Sequence, residues 1–387
     1  MPLNTLNTLF EDLFQTSSNA AFFSPGRVNL IGEHIDYNGG LVFPCAITKG
    51  TYAVVGVRND KAFHAYSANF KELGVVTLSL DALSFTPTDA WANYVKGILS
   101  VLLQKGYTIP FGLNLVIYGD LPNAAGLSSS ASLEILLCKI FSTFYHLNLS
   151  PEEMALIGKQ VENEYIGVSS GIMDQFAIAL GKPNHALLLN CATQKYEYIP
   201  FNMSGYELVI MNTNKRRELA DSKYNERFSE CMTVLHLLQK HYKISNLCDL
   251  SSDNLLELQA MPLEPNLLKR AKHAITENER VLAATSALQE NHLTTFGDLL
   301  YASHCSLQKD YDVTGKELDT LVEAAMEEGA IGARMTGAGF GGCAIALVKS
   351  TLTDSLIEKV GTKYKEFIGY DASLYKVTVG GGPTQLL

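Results

Sequence analysis

The side chains of this chain that could do chemistry are concentrated in a few short segments, of which residues 25–40 (PGRVNLIGEHIDYNGG) are the most informative. This segment presents Arg27, Glu33, His34 and Asp36 between a proline and several glycines. So many hydrogen-bonding groups on one loop cost free energy unless they face water or a polar ligand. A loop of this kind can offer donors and acceptors to several hydroxyl groups of a sugar at once.

A second segment, PNAAGLSSSA at residues 122–131, has the composition of an anion-binding loop. It lies between a predicted strand that ends near Asp120 and a predicted helix that begins near Ser129. Small residues let the backbone approach an anion closely, and the start of a helix offers free N–H groups with a partial positive charge. One of its serine hydroxyls could also bind Mg²⁺. From the local pattern alone, a serine-capped helix after a tight turn is an equally good interpretation.

Two carboxylates need an explanation of their own. Asp174 is the one acid in the apolar segment 171–181 (GIMDQFAIALG), where it needs a partner or a catalytic role, and the residues alone do not decide between these. Glu162 lies near the end of a predicted helix whose start is marked by the capping box of Ser150 and Glu153. Taken alone, Glu162 is interpreted more readily as a solvated helix charge than as a metal ligand.

A third segment, residues 335–348 (MTGAGFGGCAIALV), matches the spacing GxGxxG. A dinucleotide-binding fingerprint would follow a strand and open a helix, whereas here a predicted helix comes first and a strand follows. We therefore reject a dinucleotide site. The segment predicts a tight turn that leads into a buried strand, and no direct ligand contact is assigned to its glycines.

The composition limits the class of protein. A chain of 387 residues with 47% hydrophobic and 18% charged residues can form two or three domains with ordinary cores. Its net charge of −10 argues against general nucleic-acid binding, and no apolar run approaches the length of a membrane span. Seven scattered cysteines without CxxC spacing indicate reduced thiols. We expect a cytoplasmic monomer that binds neither nucleic acid nor membranes.

Hydrophobic periodicity predicts strands and helices whose proportions change along the chain. The predicted strands are 52–58, 113–118, 186–189, 207–211, 343–348 and, as the last, 375–379. The predicted helices are an amphipathic first helix, then 91–105, one from about 129, 151–165, a mostly helical region over 217–308, and 316–328. Because strand signals become rare after residue 212, we place a domain boundary near residues 200–205.

Taken together, the three segments resemble the motifs of the galactokinases, a family of the GHMP kinase superfamily, and they occur in the same order. The first motif is specific to galactokinases and their nearest relatives, whereas the second and third identify only the superfamily. The resemblance covers essentially the full length. It implies an α+β, two-domain GHMP kinase fold with the active site in the interdomain cleft. Residues 1–203 would form the N-terminal domain and residues 204–387 the C-terminal domain.

The sequence departs from the family pattern at two positions. Ala124 stands where the family commonly has glycine, and a positive φ angle there would cost an alanine roughly 1 kcal/mol or more. Ile35 replaces the usual threonine of the sugar motif, at a position not expected to hold the sugar. His34 could otherwise suggest a metal ligand, but the spacing of further ligands is missing, so a hydrogen bond to a sugar hydroxyl is preferred.

The resemblance implies ATP-dependent phosphorylation of the C1 hydroxyl of galactose, with ATP as co-substrate and Mg²⁺ as cofactor. It assigns catalysis to Asp174 and Arg27, and a neighbouring guanidinium favours an ionised carboxylate. The other implied site residues are, for galactose, Glu33, His34, Ile35, Asp36 and Tyr224; for the nucleotide, Ser67, Ala124, Ala125, Gly126, Leu127, Ser128, Ser129 and Ser130; and for Mg²⁺, Ser130 and Glu162.

Two alternatives stay open on the sequence alone. A related kinase could act on N-acetylgalactosamine or arabinose instead of galactose. A galactose sensor without catalytic activity could use the same scaffold, but such sensors have a damaged phosphate loop. Because residues 126–131 (GLSSSA), Arg27 and Asp174 are all present here, the sensor ranks last.

Overall fold

Strands and helices follow one another along the whole chain. The computed structural model describes residues 1–121, 127–168, 170–215 and 220–387. The strands are β1 Ala20–Asn29, β2 Leu41–Val42, β3 Pro44–Val57, β4 Ala62–Ser67, β5 Val76–Ser79, β6 Leu113–Gly119, β7 His185–Asn190, β8 Tyr196–Pro200, β9 Tyr206–Asn212, β10 Gly332–Thr336, β11 Cys343–Lys349, β12 Ser373–Val377 and β13 Thr384–Gln385. The α-helices are α1 Leu3–Phe14, α2 Asn93–Gln104, α3 Ser129–Phe144, α4 Pro151–Gln160, α5 Met173–Ala179, α6 Ala220–Leu238, α7 Leu255–Ala260, α8 Pro265–Gln289, α9 Leu293–Ser306, α10 Gly315–Glu327 and α11 Thr353–Ile368.

A six-stranded sheet with the order β13-β1-β3-β6-β4-β5 carries the first polar segment. The antiparallel pairing of β1 with β3 is the longest in this sheet, and its register shifts between Pro25 and Arg27. Proline has no N–H group to donate to the ladder, so an irregularity at this point is expected. Helix α3 packs against β1 and β3. The end of β1 that carries Arg27 is therefore brought close to the start of α3.

A second sheet, with the order β10-β11-β9-β12, is antiparallel throughout. All residues of β11 from Cys343 to Val348 are buried, and helix α10 contacts both β10 and β11. A continuous apolar run such as CAIALV is typical of a strand that is covered on both faces. The strand predicted after the third glycine segment is thus confirmed as part of the core.

Helix α8 links distant parts of the fold. It contacts α6 and α9, and it also contacts β2 and β8 of the small three-stranded sheet β2-β7-β8. Arg270, His273 and Glu277 are buried along it at spacings of three and four residues, which place them on one face. Two residues of this polar face bind the loop that follows β1. Glu277 accepts a hydrogen bond from the N–H of Gly32, and Nε2 of His273 bonds to the carbonyl of Glu33.

The predicted helices and strands are confirmed with shifts of a few residues, except that β3 begins at Pro44, well before the predicted strand 52–58. Two differences matter for the site. The helix predicted over 151–165 begins with the expected capping box but ends at Gln160, where a π-helical segment, Val161–Ile166, follows. A π turn holds an extra residue, which rotates the following side chains about the axis. The last strand is not at 375–379: β12 ends at Val377, and the short β13 pairs with β1.

Sheet membership changes between β8 and β9, whereas β13 returns to the first sheet. The division of the chain into residues 1–203 and 204–387 stays a prediction. Within the described ranges, no helix combines the length and the apolar character that crossing a bilayer requires. All seven cysteines are free thiols, as the sequence analysis expected.

Candidate active site

Arg27 and Asp174 form a two-pronged ion pair. The Nε atom of Arg27 donates to Oδ1 of Asp174 at 2.8 Å, and Nη2 donates to Oδ2 at 2.6 Å. Arg27 lies near the end of β1 and Asp174 in the first turn of α5. Arg27 is buried, whereas 31% of the Asp174 side chain is exposed. The carboxylate can therefore meet a ligand while its charge is balanced from behind.

The start of α3 is joined to this ion pair. Ser128 has a left-handed backbone (φ 61°), and its hydroxyl donates to Oδ2 of Asp174. The N–H of Arg27 donates to the carbonyl of Leu127 at 3.4 Å. In the described part of the chain, no side chain caps α3, so the serine-cap interpretation of this segment is wrong. The predicted nucleotide residues Ala124, Ala125 and Gly126 lie outside the described residues.

Ser130 and Glu162 meet as predicted for a metal pair. The Ser130 hydroxyl donates to Oε1 of Glu162 at 2.7 Å, and Oε2 accepts from Ser170 at 2.9 Å and from Gln175 at 3.2 Å. Glu162 is only 8% exposed, so the solvated helix charge favoured by the residues alone is wrong. Burial raises the pKa of its carboxyl above the ordinary value. This side chain belongs to the π-helical segment Val161–Ile166.

The donor atoms of this pair suit Mg²⁺, which prefers oxygen ligands and keeps several of its waters. One carboxylate and one hydroxyl are a typical protein contribution when substrate phosphates supply further oxygens. In the ranges that the structure describes, no cluster of three or more His, Cys, Asp or Glu residues could hold a metal by itself. The residues present therefore fit Mg²⁺ bound together with a phosphorylated substrate.

A cavity opens beside the start of α3. Its lining includes Ser67, Trp91, Tyr94, Ser129 and Ser130 and is otherwise mostly apolar. Within the described chain, the buried Nε1 atom of Trp91 has no hydrogen-bond partner, so a donor is available there. An aromatic, largely apolar cavity next to a helix N-terminus suits a nucleotide base whose phosphates extend toward the helix.

Asp36 and Tyr224 lie near enough to the ion pair for the charge of Asp174 to act on both. Burial, followed by the nearby charge of Asp174, raises the pKa of the Asp36 carboxyl to about 6. The ring of Tyr224, from α6, lies 5.6 Å from the ring of His34. Burial and the charges of Asp36 and Asp174 also raise the pKa of Tyr224, which therefore stays a neutral hydrogen-bonding group. The two predicted sugar residues are thus brought together near Asp174.

Glu33 is held by groups that the sequence analysis did not identify. Its Oε2 atom lies 2.9 Å from Nη1 of Arg334, and both side chains are buried. The same Arg334 atom donates to the carbonyl groups of Asn29 and Leu30. Arg334 is the one cation in the buried strand β10, and a cation in such a strand is a signal that could have been found.

Glu277 of α8 holds the backbone of the same loop. Its Oε1 atom accepts from the N–H groups of Gly32 at 3.0 Å and Glu33 at 3.3 Å, and from the hydroxyl of Ser303 at 2.5 Å. Burial favours the neutral acid, but positive neighbours led by Arg280 outweigh it and lower the pKa of Glu277 to about 2. The sequence gives no local sign of this contact, which joins residues more than two hundred positions apart.

The side chains of His34 and Ile35 are not placed for direct contact with a sugar. Both ring nitrogens of His34 already have protein partners, Tyr37 and the carbonyl of Ala338. Ile35 is 0% exposed and packs in the core, so the structure does not bring its apolar side chain into the site. Of the other predicted residues in the described ranges, Ser128 contacts Asp174, whereas Ser67, Ser129 and Ser130 line the cavity beside α3.

Comparison with protein families identifies three matching regions. Residues 8–57 match the galactokinase galactose-binding signature, residues 93–182 the N-terminal domain of GHMP kinases, and residues 284–366 the C-terminal domain of GHMP kinases. Curated relatives include galactokinases of Clostridium perfringens strain 13, 57% identical over 100% of both chains, and Enterococcus faecalis strain V583, 52% identical over 97% of this chain and 98% of the relative.

Solved structures give the same assignment. The crystal structure of Lactococcus lactis galactokinase complexed with galactose superposes with a TM-score of 0.96 at 47% identity, covering 99% of this chain and 100% of the other. A mevalonate kinase structure at 21% identity shares the fold, with a TM-score of 0.70 over 93% of this chain and 99% of the other. The predicted two-domain GHMP kinase fold is confirmed. By motif, sequence and structure, the chain belongs to the galactokinase family.

Proposed function

We propose that the chain transfers the γ-phosphoryl group of ATP to the anomeric C1 hydroxyl of α-D-galactose, giving galactose 1-phosphate and ADP. The observation that carries this proposal is the Arg27–Asp174 ion pair, which contacts the start of α3 through Ser128 and lies near Asp36 and Tyr224. The galactose bound in the Lactococcus lactis relative supports the choice of sugar.

The sugar is recognised by groups around the loop after β1. Asp36 and Glu33 accept hydrogen bonds from sugar hydroxyls, and Tyr224 contributes a neutral O–H. A site built of such acceptors rejects analogues that leave its buried groups unpaired. Gly171 lies against the Asp36 carboxylate, so its missing side chain leaves room for that acceptor.

Asp174 and Arg27 act on the transferred group. Asp174 accepts a hydrogen bond from the C1 hydroxyl and aligns its oxygen for attack along the line of the breaking bond. Arg27 pairs with that carboxylate and offers positive charge to the phosphoryl oxygens, over which the negative charge spreads in the transition state. Positioning and electrostatics of this kind carry most of the catalysis in phosphoryl transfer.

The phosphates are bound at the start of α3, and the base lies in the cavity with Ser67, Trp91 and Tyr94. Ser128 and Ser129 donate hydrogen bonds to the phosphate oxygens. Ser130 and Glu162 hold Mg²⁺, which when bound neutralises charge on the phosphate oxygens. The free N–H groups of the helix start add a fixed positive potential for the same anion.

We also infer the setting in which the chain works. It acts as a cytoplasmic monomer that binds no nucleic acid, and support comes from its net charge of −10 and its seven free thiols. The change of sheet between β8 and β9 supports a division into domains 1–203 and 204–387.

One assay tests the activity. The protein is incubated with galactose and Mg-ATP, ADP release is followed by a coupled assay, and the product is identified by ³¹P NMR. We expect galactose 1-phosphate. Faster ADP release with N-acetylgalactosamine or arabinose than with galactose would show that one of those sugars is the substrate. Galactose binding without any ADP release would indicate a sensor.

A further inference from the structure

A line of buried polar groups lies behind the loop of residues 30–40 between β1 and β2, here called the galactose loop. These groups take no part in the proposed chemistry. His34 Nδ1 lies 2.8 Å from the hydroxyl of Tyr37, which lies 2.9 Å from the hydroxyl of Tyr311. The Tyr311 hydroxyl lies 2.9 Å from Sγ of Cys231, and Nδ2 of Asn38 donates to that sulfur at 3.6 Å. At the other end, Nε2 of His34 lies 3.1 Å from the carbonyl oxygen of Ala338.

The direction of every hydrogen bond in this line follows from its two ends. A carbonyl oxygen only accepts, so Nε2 of His34 carries a proton. Burial lowers the pKa of His34 to about 3, so the ring is neutral and Nδ1 must accept from Tyr37. Tyr37 has then used its proton and accepts from Tyr311.

The same reasoning reaches the other end. Tyr311 has given its proton to Tyr37, so it accepts from the thiol of Cys231. The sulfur in turn accepts from Asn38, whose second amide hydrogen is donated to the carbonyl of His34 at 2.9 Å. The result is one series of hydrogen bonds that all run in the same direction, and it is compatible with a single tautomer of His34.

This series of hydrogen bonds connects three parts of the site. Asn38, Tyr37 and His34 belong to the galactose loop, Cys231 lies in α6, and Ala338 lies in the third glycine segment. The ring of Tyr224, also in α6, packs against both His34 at 5.6 Å and Tyr37 at 5.7 Å. Rings with a fixed orientation leave Tyr224 fewer positions, which lowers the entropy lost when a ligand binds.

We propose that Tyr37, Tyr311 and Cys231 are positioning residues that hold the Nε2–H ring of His34 in one orientation and thereby hold Tyr224 in place for the sugar. The role of Tyr224 rests on the proposed function, whereas the tautomer does not. His34 thus serves galactose binding through its neighbours instead of through a free ring nitrogen.

The first experiment reads the tautomer by ¹⁵N NMR of the full chain labelled at its nine histidines. The His34 signals are assigned from their loss in His34→Gln. We expect a neutral ring with the proton on Nε2 in the parent protein, and in Tyr37→Phe the same tautomer with a changed Nδ1 shift, because Nδ1 has lost its hydrogen bond while the Ala338 carbonyl still accepts from Nε2. The matched control is Tyr198→Phe, which removes an O–H bonded to the carbonyl of Leu180 elsewhere in the fold. A charged ring or an Nδ1–H tautomer in the parent would overturn the proposal.

The second experiment measures galactose binding by calorimetry, together with the KM values of both substrates. In Tyr37→Phe we expect the galactose Kd and KM to rise about tenfold, while the ATP KM changes less than about twofold. Tyr311→Phe is expected to show a smaller rise in the same direction. Cys231→Ala should raise the galactose KM, whereas Cys231→Ser, which keeps a donor, should restore it. Equal effects on both substrates, or none, would contradict the positioning role.

These readouts separate the two proposals. If the parent protein shows the Nε2–H tautomer but neither binds nor phosphorylates galactose, the proposed function fails while the hydrogen-bonded chain stands. If it phosphorylates galactose but Tyr37→Phe leaves both the Nδ1 shift and the galactose Kd unchanged, the positioning role fails alone.

Discussion

The substitution Gly171→Ala tests the placement of Asp36 with the smallest possible change. A methyl carbon built on Gly171 would lie 2.7 Å from the carboxyl carbon of Asp36 and closer still to Oδ2. The backbone of Gly171 does not have a positive φ angle, so alanine can adopt it without strain. The substitution therefore acts on the Asp36 carboxylate and not on the backbone.

The size of the displacement follows from the contact. Two carbon atoms pack at about 3.5–4.0 Å, so the Asp36 carboxylate must retreat by about 1 Å. A misplacement of about 1 Å in a binding or catalytic group can cost about 100-fold in rate. We expect kcat/KM for galactose to fall about 100-fold, which is about 2.7 kcal/mol of transition-state stabilisation at 1.36 kcal/mol per factor of ten.

The assay compares kcat/KM for galactose, the ATP KM and the thermal midpoint in the parent and the variant. Asp36 is only partly buried, and a side chain can swing away more easily than a backbone, so the midpoint should change little. Gly361→Ala is the matched control, because a methyl group there would meet only Leu374 at 3.9 Å. It lies in α11, where alanine favours the helix.

A loss of less than about fivefold in kcat/KM in Gly171→Ala, with galactose confirmed as the substrate, would refute the reasoning, since the effect expected of a 1 Å displacement is far larger. A large fall in the thermal midpoint would refute it in another way. In that case the methyl group would disturb packing rather than the position of one carboxylate.

The other predictions concern catalysis, pH, metal binding and stability. Asp174→Asn should lower kcat about 1000-fold while the protein stays folded, and a loss below about tenfold would remove Asp174 from catalysis. Because the Asp36 pKa is raised to about 6, its carboxylate is neutralised as the pH falls through that value; the galactose KM should then rise below pH 6, and Asp36→Asn should abolish this dependence, which a pH series of KM checks. Glu162→Gln should raise the Mg²⁺ concentration for half-maximal activity at least about tenfold without changing the galactose Kd from calorimetry, and equal Mg²⁺ curves would contradict the metal assignment. Glu277→Ala should lower the free energy of unfolding in urea by about 3 kcal/mol, because it leaves buried donors and Arg280 unpaired; a change below about 1 kcal/mol would contradict this.

The sequence alone was sufficient to predict the role of residues that can be recognised from their immediate neighbours. The capping box at Ser150, the buried run of β11 and the polar loop around Asp36 are each recognised from neighbours within a few positions. The resemblance added the pairing of Arg27 with Asp174, which no local pattern predicts, and the structure places these side chains in contact.

What the sequence could not provide depends on contacts between distant residues. Glu162 stands beside Glu164 in a polar segment typical of a surface, yet the structure buries it within the π-helical segment. Glu277 lies in a long polar helix, and its function as acceptor for the loop at Gly32 exists only after α8 has packed. One partner of the His34 ring, Ala338, lies more than three hundred positions away, so no spacing rule could indicate that both ring nitrogens are occupied.

The position of β13 has a consequence for how this protein is made. Gln385 pairs with Phe22, and Thr384 with Phe23, at the open edge of the strand that leads to Arg27. During translation Phe22 leaves the ribosome long before Gln385. The backbone groups at this edge therefore stay without their β13 hydrogen-bond partners until the end of the chain has emerged. An uncovered strand edge is a template for pairing with another chain. Nascent chains of this protein should therefore be most prone to aggregate just before the residues of β13 have emerged.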